Sequence, residues 1–337
     1  MKAEFQKVAP LFRLENFEVS ELIIQSEALS RNPLGDSSTR RCPTLIPKNK
    51  SESLTVVFVL AGFAGNGVNY FGVRSFENNF PQLIDLKVSQ DEAPSAIYVF
   101  VDAMTSIGGA QFINSEAVGR YEDYIIEEIV GAVRDHTPAA KDSNQWCVMG
   151  GSSGGYGALH LASKYPSVFS LIGAIAPDSY FESVYLKDFY ETAETLKSIV
   201  STEKLKQWME SGGLEKRNGF RVLNAAAMTA CYSPKSSTDL NYPIDLDTGI
   251  LKPDVWREWK SKDPVEFLAQ REFEWRGAFL EVGLFDEEYL LYGARQIRNI
   301  LQSKNVKHHY AEFKGGHRDL SDRRPDFLMW LYQALKN

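Results

Sequence analysis

The sequence has few cysteines, no long apolar run and no excess of basic residues. Its three cysteines, Cys42, Cys147 and Cys231, are widely separated and form no CxxC pair, so a disulfide framework is not expected. The N-terminal segment "MKAEFQKVAPLFRLENF" lacks the apolar core of a signal peptide, and no apolar run is long enough to span a bilayer. These absences predict reduced cysteines in a cytoplasmic protein that does not bind a membrane.

The charge balance excludes a second group of partners. There are 44 acidic and 37 basic residues, and the formal net charge is −7, so neither nucleic acid nor an anionic lipid surface is an expected partner. The fragment "IDLDTGIL" places Asp245 and Asp247 before a glycine, but Val255 stands where a calcium loop needs a glutamate. We interpret it as a hairpin turn, and we expect no metal and no cofactor. The sequence does not determine the oligomeric state.

Short apolar runs that alternate with helical patterns make up most of the chain. Because the runs are continuous rather than alternating, they are typical of strands covered on both faces. The pattern predicts an α/β fold with a mostly parallel sheet of roughly eight strands and helices on both sides. Two upstream runs, 17–29 and 39–47, are expected to form a leading antiparallel pair. The later strands are predicted at 54–62, 96–103, 145–150, 171–177, 277–283 and 308–315.

One interval breaks this alternation. Residues 178–276 separate two predicted strands, and a connection of that length is not a bare loop in a compact domain. It contains a helical pattern and a turn-rich stretch. We therefore expect a single domain over 1–337 in which 178–276 is an inserted cap over the end of the sheet.

The stretch "MGGSSGGYGA" (149–158) contains Gly-x-Ser-x-Gly in two overlapping frames, one centred on Ser152 and one on Ser153. The pattern is weak alone, but here it follows a predicted strand and precedes a helical pattern, which is the context of a nucleophile elbow. The alternative is a glycine-rich turn with a structural serine. The Ser152 frame puts glycine at the crowded positions before and after the serine, and at the third position after it, so we favour Ser152 as the nucleophile.

A serine needs a base and an orienting acid. Among five histidines, His317 lies in "FKGGHRDL", just past the carboxyl end of the last predicted strand, where functional loops gather in such sheets. Asp286 is the first acid after the strand that ends at Gly283. We expect the next two acids, Glu287 and Glu288, to open a helix. The order Ser152, Asp286, His317 is that of α/β-hydrolases.

The reaction also needs two donors for the oxyanion. One is expected to be the backbone N–H of Ser153, the residue after the nucleophile. The other is expected to be the N–H of Phe63 in the loop "VLAGFAGNGVNYFG". Glycine-rich loops also bind phosphate, but this one has neither a following Gly-Lys-Ser/Thr nor the G-x-G-x-x-G spacing.

These residues resemble a known family. "GGSSGGYGAL" (150–159) is similar to the elbow of the esterase D-like branch of the α/β-hydrolases, which includes S-formylglutathione hydrolases, feruloyl and acetyl-xylan esterases and antigen 85-type mycolyltransferases. The segments "VFVLAGFAGNG", "GLFDEEYLLYGAR" and "YAEFKGGH" resemble its oxyanion, acid and histidine loops. The resemblance covers most of 40–335 and also selects Ser152. Ala61 stands where histidine is common in the family, and the 178–276 insertion is longer than in compact members.

The resemblance implies a serine carboxylesterase that works through an acyl-enzyme on a small-molecule ester. An acyltransferase with the same residues is the first alternative, and a non-catalytic binding protein on the same scaffold is the second. The segment 107–130 is similar to bacterial members and supplies Gln111 and Asn114 as substrate-binding candidates.

Three aromatic residues that follow the 171–177 strand, Tyr180, Phe181 and Tyr185, are expected either to line an apolar cleft or to pack the insertion onto the domain.

Overall fold

The computed structural model describes residues 1–49 and 53–336, and its centre is a nine-stranded sheet. In chain order the strands are β1 Lys2–Lys7, β2 Phe17–Gln25, β3 Thr39–Pro47, β4 Val56–Leu60, β5 Ile97–Phe100, β6 Trp146–Gly151, β7 Leu171–Ile175, β8 Gly277–Gly283 and β9 His308–Phe313. Their spatial order is β1-β2-β3-β5-β4-β6-β7-β8-β9. Three neighbouring pairs are antiparallel, namely β1 with β2, β2 with β3, and β3 with β5. The other neighbouring pairs are parallel.

The mostly parallel sheet and the leading antiparallel pair are confirmed. Strands β2 and β3 pair from Phe17 opposite Pro47 to Gln25 opposite Thr39. Strand β2 ends before the predicted residue 29 because the chain turns there, and the Ser26 hydroxyl accepts the Leu29 N–H at 3.0 Å. The edge strand β1 was not predicted, because its residues are exposed or half-buried and form no apolar run.

Both faces of the sheet are covered, as the continuous apolar runs require. In β4, Val56, Phe58 and Leu60 belong to one buried cluster, whereas Val57 and Val59 belong to another on the opposite face. The second cluster includes side chains from the helices Phe80–Ser89 and Arg324–Lys336. Burying a Val, Leu or Phe side chain contributes about 1.5–3 kcal/mol to the free energy of folding. Alternate residues of β4 therefore stabilise the packing of helices on opposite faces of the sheet.

Helices fill most connections between strands. A continuous helical stretch runs through Tyr121–Asp123, a π-helical part at Tyr124–Ile129, and Val130–His136. The helices Ser153–Lys164 and Leu290–Ser303 follow β6 and β8. Short 3₁₀ segments lie at Gly67–Phe71, Ser143–Gln145, Gly213–Glu215 and His317–Arg323. Two-residue ribbons pair Met104–Thr105 with Gly108–Gly109, and Asn114–Ser115 with Gly119–Arg120.

The 178–276 segment is mainly helical. Its buried apolar residues belong to the same cluster as the helix after β6. The buried Asp263 joins its two ends, because its carboxylate accepts the N–H groups of Tyr180 at 2.9 Å and Phe181 at 2.6 Å. The α-helices are Phe181–Val184, Leu186–Leu196, Thr202–Glu210, Gly219–Tyr232, Pro253–Lys260 and Pro264–Gln270.

The cysteines and the turn-rich stretch agree with the sequence. Cys42, Cys147 and Cys231 are buried and unpaired with one another. Asp245 begins a tight turn closed by a bridge between Ile244 and Leu251, as predicted. Among the helices of residues 1–49 and 53–336, none is both long and apolar enough to cross a membrane.

Candidate active site

Three predicted site residues meet at the carboxyl edge of the sheet. Ser152 follows β6, Asp286 follows β8 and His317 follows β9. His317 Nε2 lies 3.0 Å from Ser152 Oγ, and His317 Nδ1 lies 2.9 Å from Asp286 Oδ2. The three side chains therefore form one continuous hydrogen-bonded chain.

The turn after β6 has the strained geometry expected of the Ser152 frame. Ser152 has φ 55° and ψ −127°, a conformation that non-glycine residues rarely adopt. A Cβ on Gly150 would collide with the Gly154 backbone, and a Cβ on Gly154 would collide with the Leu60 carbonyl oxygen. Ser153 is instead the first residue of the following helix and is buried.

Asp286 is held rigidly. Its side chain is buried, and its Oδ2 faces His317. Its Oδ1 accepts the N–H groups of Glu288 at 3.0 Å and Leu290 at 3.3 Å. The helix begins at Leu290, so the prediction that Glu287 and Glu288 open it is wrong. They lie in the preceding turn, where Glu287 Oε2 accepts the His317 backbone N–H at 2.7 Å.

The acidic surroundings favour a protonated His317. Burial alone would lower the pKa of His317, but the hydrogen bond to Asp286 and the negative charges of Asp286, Asp178 and Glu288 outweigh burial. The pKa of His317 is therefore raised above its ordinary value.

The loop after β4 approaches Ser152 through Gly62. A Cβ on Gly62 would lie 3.7 Å from Ser152 Cβ. The Gly62 carbonyl accepts the Gly65 N–H at 2.9 Å. Because the carbonyl and N–H of a trans peptide point in opposite directions, the Phe63 N–H faces away from this turn.

The same reasoning applies to the peptide that joins Ser152 and Ser153. The Ser152 carbonyl accepts the Tyr156 N–H at 3.0 Å inside the helix. The Ser153 N–H therefore points out of the helix N-terminus, where backbone donors lack intrahelical acceptors.

A second carboxylate, which the sequence analysis did not single out, contacts both serines. Asp178 follows β7 and is only 7% exposed. Its Oδ1 lies 3.2 Å from Ser152 Oγ, and its Oδ2 accepts the Ser153 hydroxyl at 2.7 Å and the Tyr185 hydroxyl at 3.2 Å. Burial raises the pKa of Asp178, although these hydrogen bonds and the charge of His317 oppose the shift. A carboxylate directly after a sheet strand was the available sequence signal.

Two further candidates, Gln111 and Asn114, have clear contacts. Gln111 is fully buried, and its Nε2 donates to Ser153 Oγ at 2.9 Å. Asn114 is exposed, and its Oδ1 accepts the N–H groups of Glu122 at 3.1 Å and Asp123 at 3.2 Å, so it caps a helix. Neither contact is with the Ser152 hydroxyl.

The predicted aromatic cleft is wrong for two of its three residues. Phe181 is 0% exposed and Tyr185 is 1% exposed, because their rings pack against Tyr232 and Trp259. These contacts lie within the 178–276 segment, and the Phe181 ring also lies 6.2 Å from that of Tyr156 in the helix after β6. Phe181 therefore packs the segment onto the domain, which was the alternative interpretation. Tyr180 is half-buried.

Two cavities lie near the Gly62–Phe63 turn. A cavity of about 610 Å³ extends from Ala61 and Gly62, and its wall includes Asn69, Arg74, Asn78 and Arg324. A second cavity, of about 320 Å³, lies between Glu288 and the start of the helix Gly219–Tyr232. Phe220 lines it, is 56% exposed, and packs its ring 5.9 Å from that of Phe63.

Solved structures share this fold. A ferulic acid esterase is 15% identical with a TM-score of 0.59, and the match covers 95% of this chain and 99% of that one. The S-formylglutathione hydrolase of Agrobacterium tumefaciens is 15% identical with a TM-score of 0.56, covering 98% and 99%. The fluorophosphonate-binding serine hydrolase F of Staphylococcus aureus is 12% identical with a TM-score of 0.58, covering 94% and 99%. At such identities the likeness shows the α/β-hydrolase fold.

The family match rests on the sequence itself. A family model described as "Putative esterase" matches residues 40–327, which include every strand from β4 to β9 and the loops that carry Ser152, Asp286 and His317. The match agrees with the resemblance found from the motifs. The chain therefore belongs to this esterase family and is an ester-hydrolysing enzyme.

Proposed function

We propose that the protein is a serine carboxylesterase that forms an acyl-enzyme on Ser152. The observation that carries the proposal is the hydrogen-bonded chain from Ser152 Oγ through His317 to Asp286, with contacts of 3.0 and 2.9 Å. A serine hydroxyl is a weak nucleophile until a base removes its proton. In this mechanism the Ser152 Oγ–H proton moves to His317 Nε2 as Oγ attacks the ester carbonyl carbon.

Asp286 fixes the form of His317 that can accept this proton. Its Oδ1 is occupied by two backbone N–H groups, so Oδ2 is directed at His317 Nδ1 and stabilises the tautomer with hydrogen on Nδ1. Nε2 then carries a lone pair towards Ser152. The imidazolium next protonates the leaving alcohol, and water deacylates the enzyme with His317 again as the base.

The tetrahedral intermediate would be held by the backbone N–H groups of Phe63 and Ser153. The orientation of both peptides supports this role, since the Gly62 and Ser152 carbonyls are engaged in the opposite directions. The Gly62 backbone approaches Ser152 closely. Loss of one such donor typically costs about 2.7–4 kcal/mol of transition-state stabilisation.

We infer that the substrate is a small-molecule ester whose two halves occupy the two cavities near the Gly62–Phe63 turn. The larger space, about 610 Å³, has polar side chains in its wall. The other also has charged side chains in its wall, Arg221 and Glu288 among them, but it presents the exposed ring of Phe220 as well. The segment 178–276 supplies Phe220 and would act as a cap that selects the ester on that side.

The test is to observe the covalent intermediate. With p-nitrophenyl acetate, we expect a burst of nitrophenol equal to the enzyme concentration, and an acetyl group on the peptide that contains Ser152 in acid-quenched samples. Added alcohol that raises turnover and yields a new ester would favour acyl transfer over hydrolysis. Turnover without any acyl-peptide would contradict the proposed mechanism.

A further inference from the structure

The Ser152 hydroxyl has one hydrogen to donate and two neighbouring groups that can accept it. His317 Nε2 lies 3.0 Å from Ser152 Oγ, and Asp178 Oδ1 lies 3.2 Å from the same oxygen. A hydroxyl donates a single hydrogen but can accept others. When Nε2 is unprotonated, it therefore competes with Asp178 for this hydrogen. When Nε2 carries a proton, Nε2–H donates to Oγ and the hydroxyl donates to Asp178, so every group is paired.

Asp178 is fixed by a chain of donors that the Ser–His–Asp chemistry does not need. The Tyr232 hydroxyl donates to Gln111 Oε1 at 3.1 Å, Gln111 Nε2 donates to Ser153 Oγ at 2.9 Å, and Ser153 donates to Asp178 at 2.7 Å. The Tyr185 hydroxyl adds a second donor. Hydrogen bonds that point the same way along a buried chain strengthen one another. This chain ends on a carboxylate, which it stabilises in the ionised form beside Ser152.

We propose that Asp178 is a second catalytic carboxylate, which accepts the Ser152 hydroxyl hydrogen when His317 is protonated and stabilises the imidazolium of His317 during acyl transfer. This inference rests on the proposed esterase mechanism. During acylation the Ser152 Oγ–H bond breaks, the proton moves to His317 Nε2, and the Oγ–carbon bond forms as the carbonyl becomes an oxyanion. Asp178 gains and loses no proton, and its negative charge faces the new positive charge.

Other charged groups also lie near His317. Asp286 and Glu288 come from the turn after β8, and Glu287 contacts the His317 backbone N–H. Arg318 acts on the Glu287 carboxylate. Asp178 differs from all of them because it alone, among these carboxylates, contacts the Ser152 hydroxyl.

The test is the pKa of His317 in Asp178→Asn, measured by nitrogen NMR of histidine-labelled protein. The chain has only five histidines, and a His317→Gln variant assigns the signal. We expect the pKa of His317 to fall by about one unit, the lower end of the range for an opposite charge within ~4–6 Å, because Asp178 contacts His317 only through the Ser152 hydroxyl. The acid limb of kcat/KM should move to lower pH by the same amount, and kcat on the plateau should fall about tenfold.

A matched control separates this role from folding. Asp263 is also a buried carboxylate in the same region, but it binds the backbone of Tyr180 and Phe181 rather than Ser152. Asp263→Asn should lower the melting temperature and leave the His317 pKa in place. If Asp178→Asn does not fold, Ser153→Ala takes its place, because it removes the 2.7 Å contact to Asp178 and should shift the His317 pKa in the same direction by less.

An unchanged His317 pKa in folded Asp178→Asn, or in Ser153→Ala if the first variant does not fold, overturns the proposal. This readout does not depend on turnover. A failure of the esterase mechanism itself would appear separately, as the absence of an acyl-enzyme on Ser152 in the wild-type protein.

Discussion

Replacing Asp286 by Asn should stop the enzyme by reversing the hydrogen-bond polarity of His317. The two backbone N–H groups of Glu288 and Leu290 require an acceptor at Oδ1, so the Asn oxygen must take that place. The Asn NH₂ then faces His317 Nδ1, where the native Oδ2 lies at 2.9 Å. The ring must accept at Nδ1 and carry its hydrogen on Nε2. Nε2 can no longer accept the Ser152 proton.

The size of the loss follows from the tautomer. An acid-to-amide change of this kind lowers kcat by about 10⁴ in a serine protease, which corresponds to about 5.4 kcal/mol in the activation barrier. The side chain volume hardly changes and both backbone contacts remain, so the melting temperature should fall only slightly. The assay is steady-state hydrolysis of p-nitrophenyl acetate at the plateau of the pH profile, with thermal unfolding of the same sample.

Glu287→Gln is the matched control. Glu287 also contacts His317, but through the backbone N–H, and amide and carboxylate oxygens both accept such a bond. Its effect on kcat should be below about tenfold, because the Gln oxygen keeps the hydrogen bond and a typical bond of this kind contributes only about 0.5–1.5 kcal/mol. An Asp286→Asn enzyme within tenfold of the wild type, or a larger loss in Glu287→Gln or Glu288→Gln, would refute the assignment of Asp286.

Three further predictions follow from the geometry. Activity should rise with pH through a midpoint above about 6.5, the ordinary histidine value, because His317 is the base only when neutral and its pKa is raised; a flat rate from pH 5 to 8 would contradict histidine base catalysis. Gly154→Ala should lower the melting temperature strongly, as a Cβ there meets the Leu60 carbonyl oxygen; normal stability in thermal unfolding would show that the turn can relax. Phe220→Ala should change the ratio of kcat/KM values for short and bulky esters by roughly 10–200-fold, or about 1–3 kcal/mol. Phe181→Ala should instead cost about 3–5 kcal/mol of stability and affect all esters equally, and the reverse pattern in an ester panel would place the pocket at Phe181.

The parallel strands and the positions of the main site residues could be predicted because their signals are local. A strand buried on both faces needs a continuous apolar run, and β4 and β8 are such runs. The turn at Ser152 leaves no room for side chains at Gly150 and Gly154, so its sequence is constrained. Chain order and the shared sheet edge were then sufficient to select Asp286 and His317.

The features that the sequence did not predict lack such local signals. Strand β1 is an edge strand whose exposed residues need no apolar pattern. The directions of Phe181 and Tyr185 depend on Tyr232 and Trp259, which are distant in the sequence. These aromatic residues follow a strand that lies next to the elbow strand, but this position alone did not predict that their side chains contact the cleft.

The position of Asp178 has a weaker sequence signal for a different reason. It follows a sheet strand just as Asp286 does, but a Ser–His–Asp chain needs only one acid, so a second acid after a strand indicates no separate role. Its proposed function depends on contacts with Ser152, Ser153 and Tyr185, and on Gln111, which is buried in a left-handed backbone conformation with φ 54°. A loop of that shape is set by tertiary packing and has no reliable sequence pattern.

The most direct test of the central claim is covalent labelling by a fluorophosphonate, read by intact mass and peptide mapping. The account predicts one adduct on wild-type protein and on Ser153→Ala, located at Ser152, and none on folded Ser152→Ala. Ser153→Ala is the matched control because the two serines are adjacent, yet only the Ser152 hydroxyl contacts His317. Undiminished labelling of Ser152→Ala, or an adduct mapped to Ser153 in the wild-type protein, would contradict the assignment of Ser152 as the nucleophile.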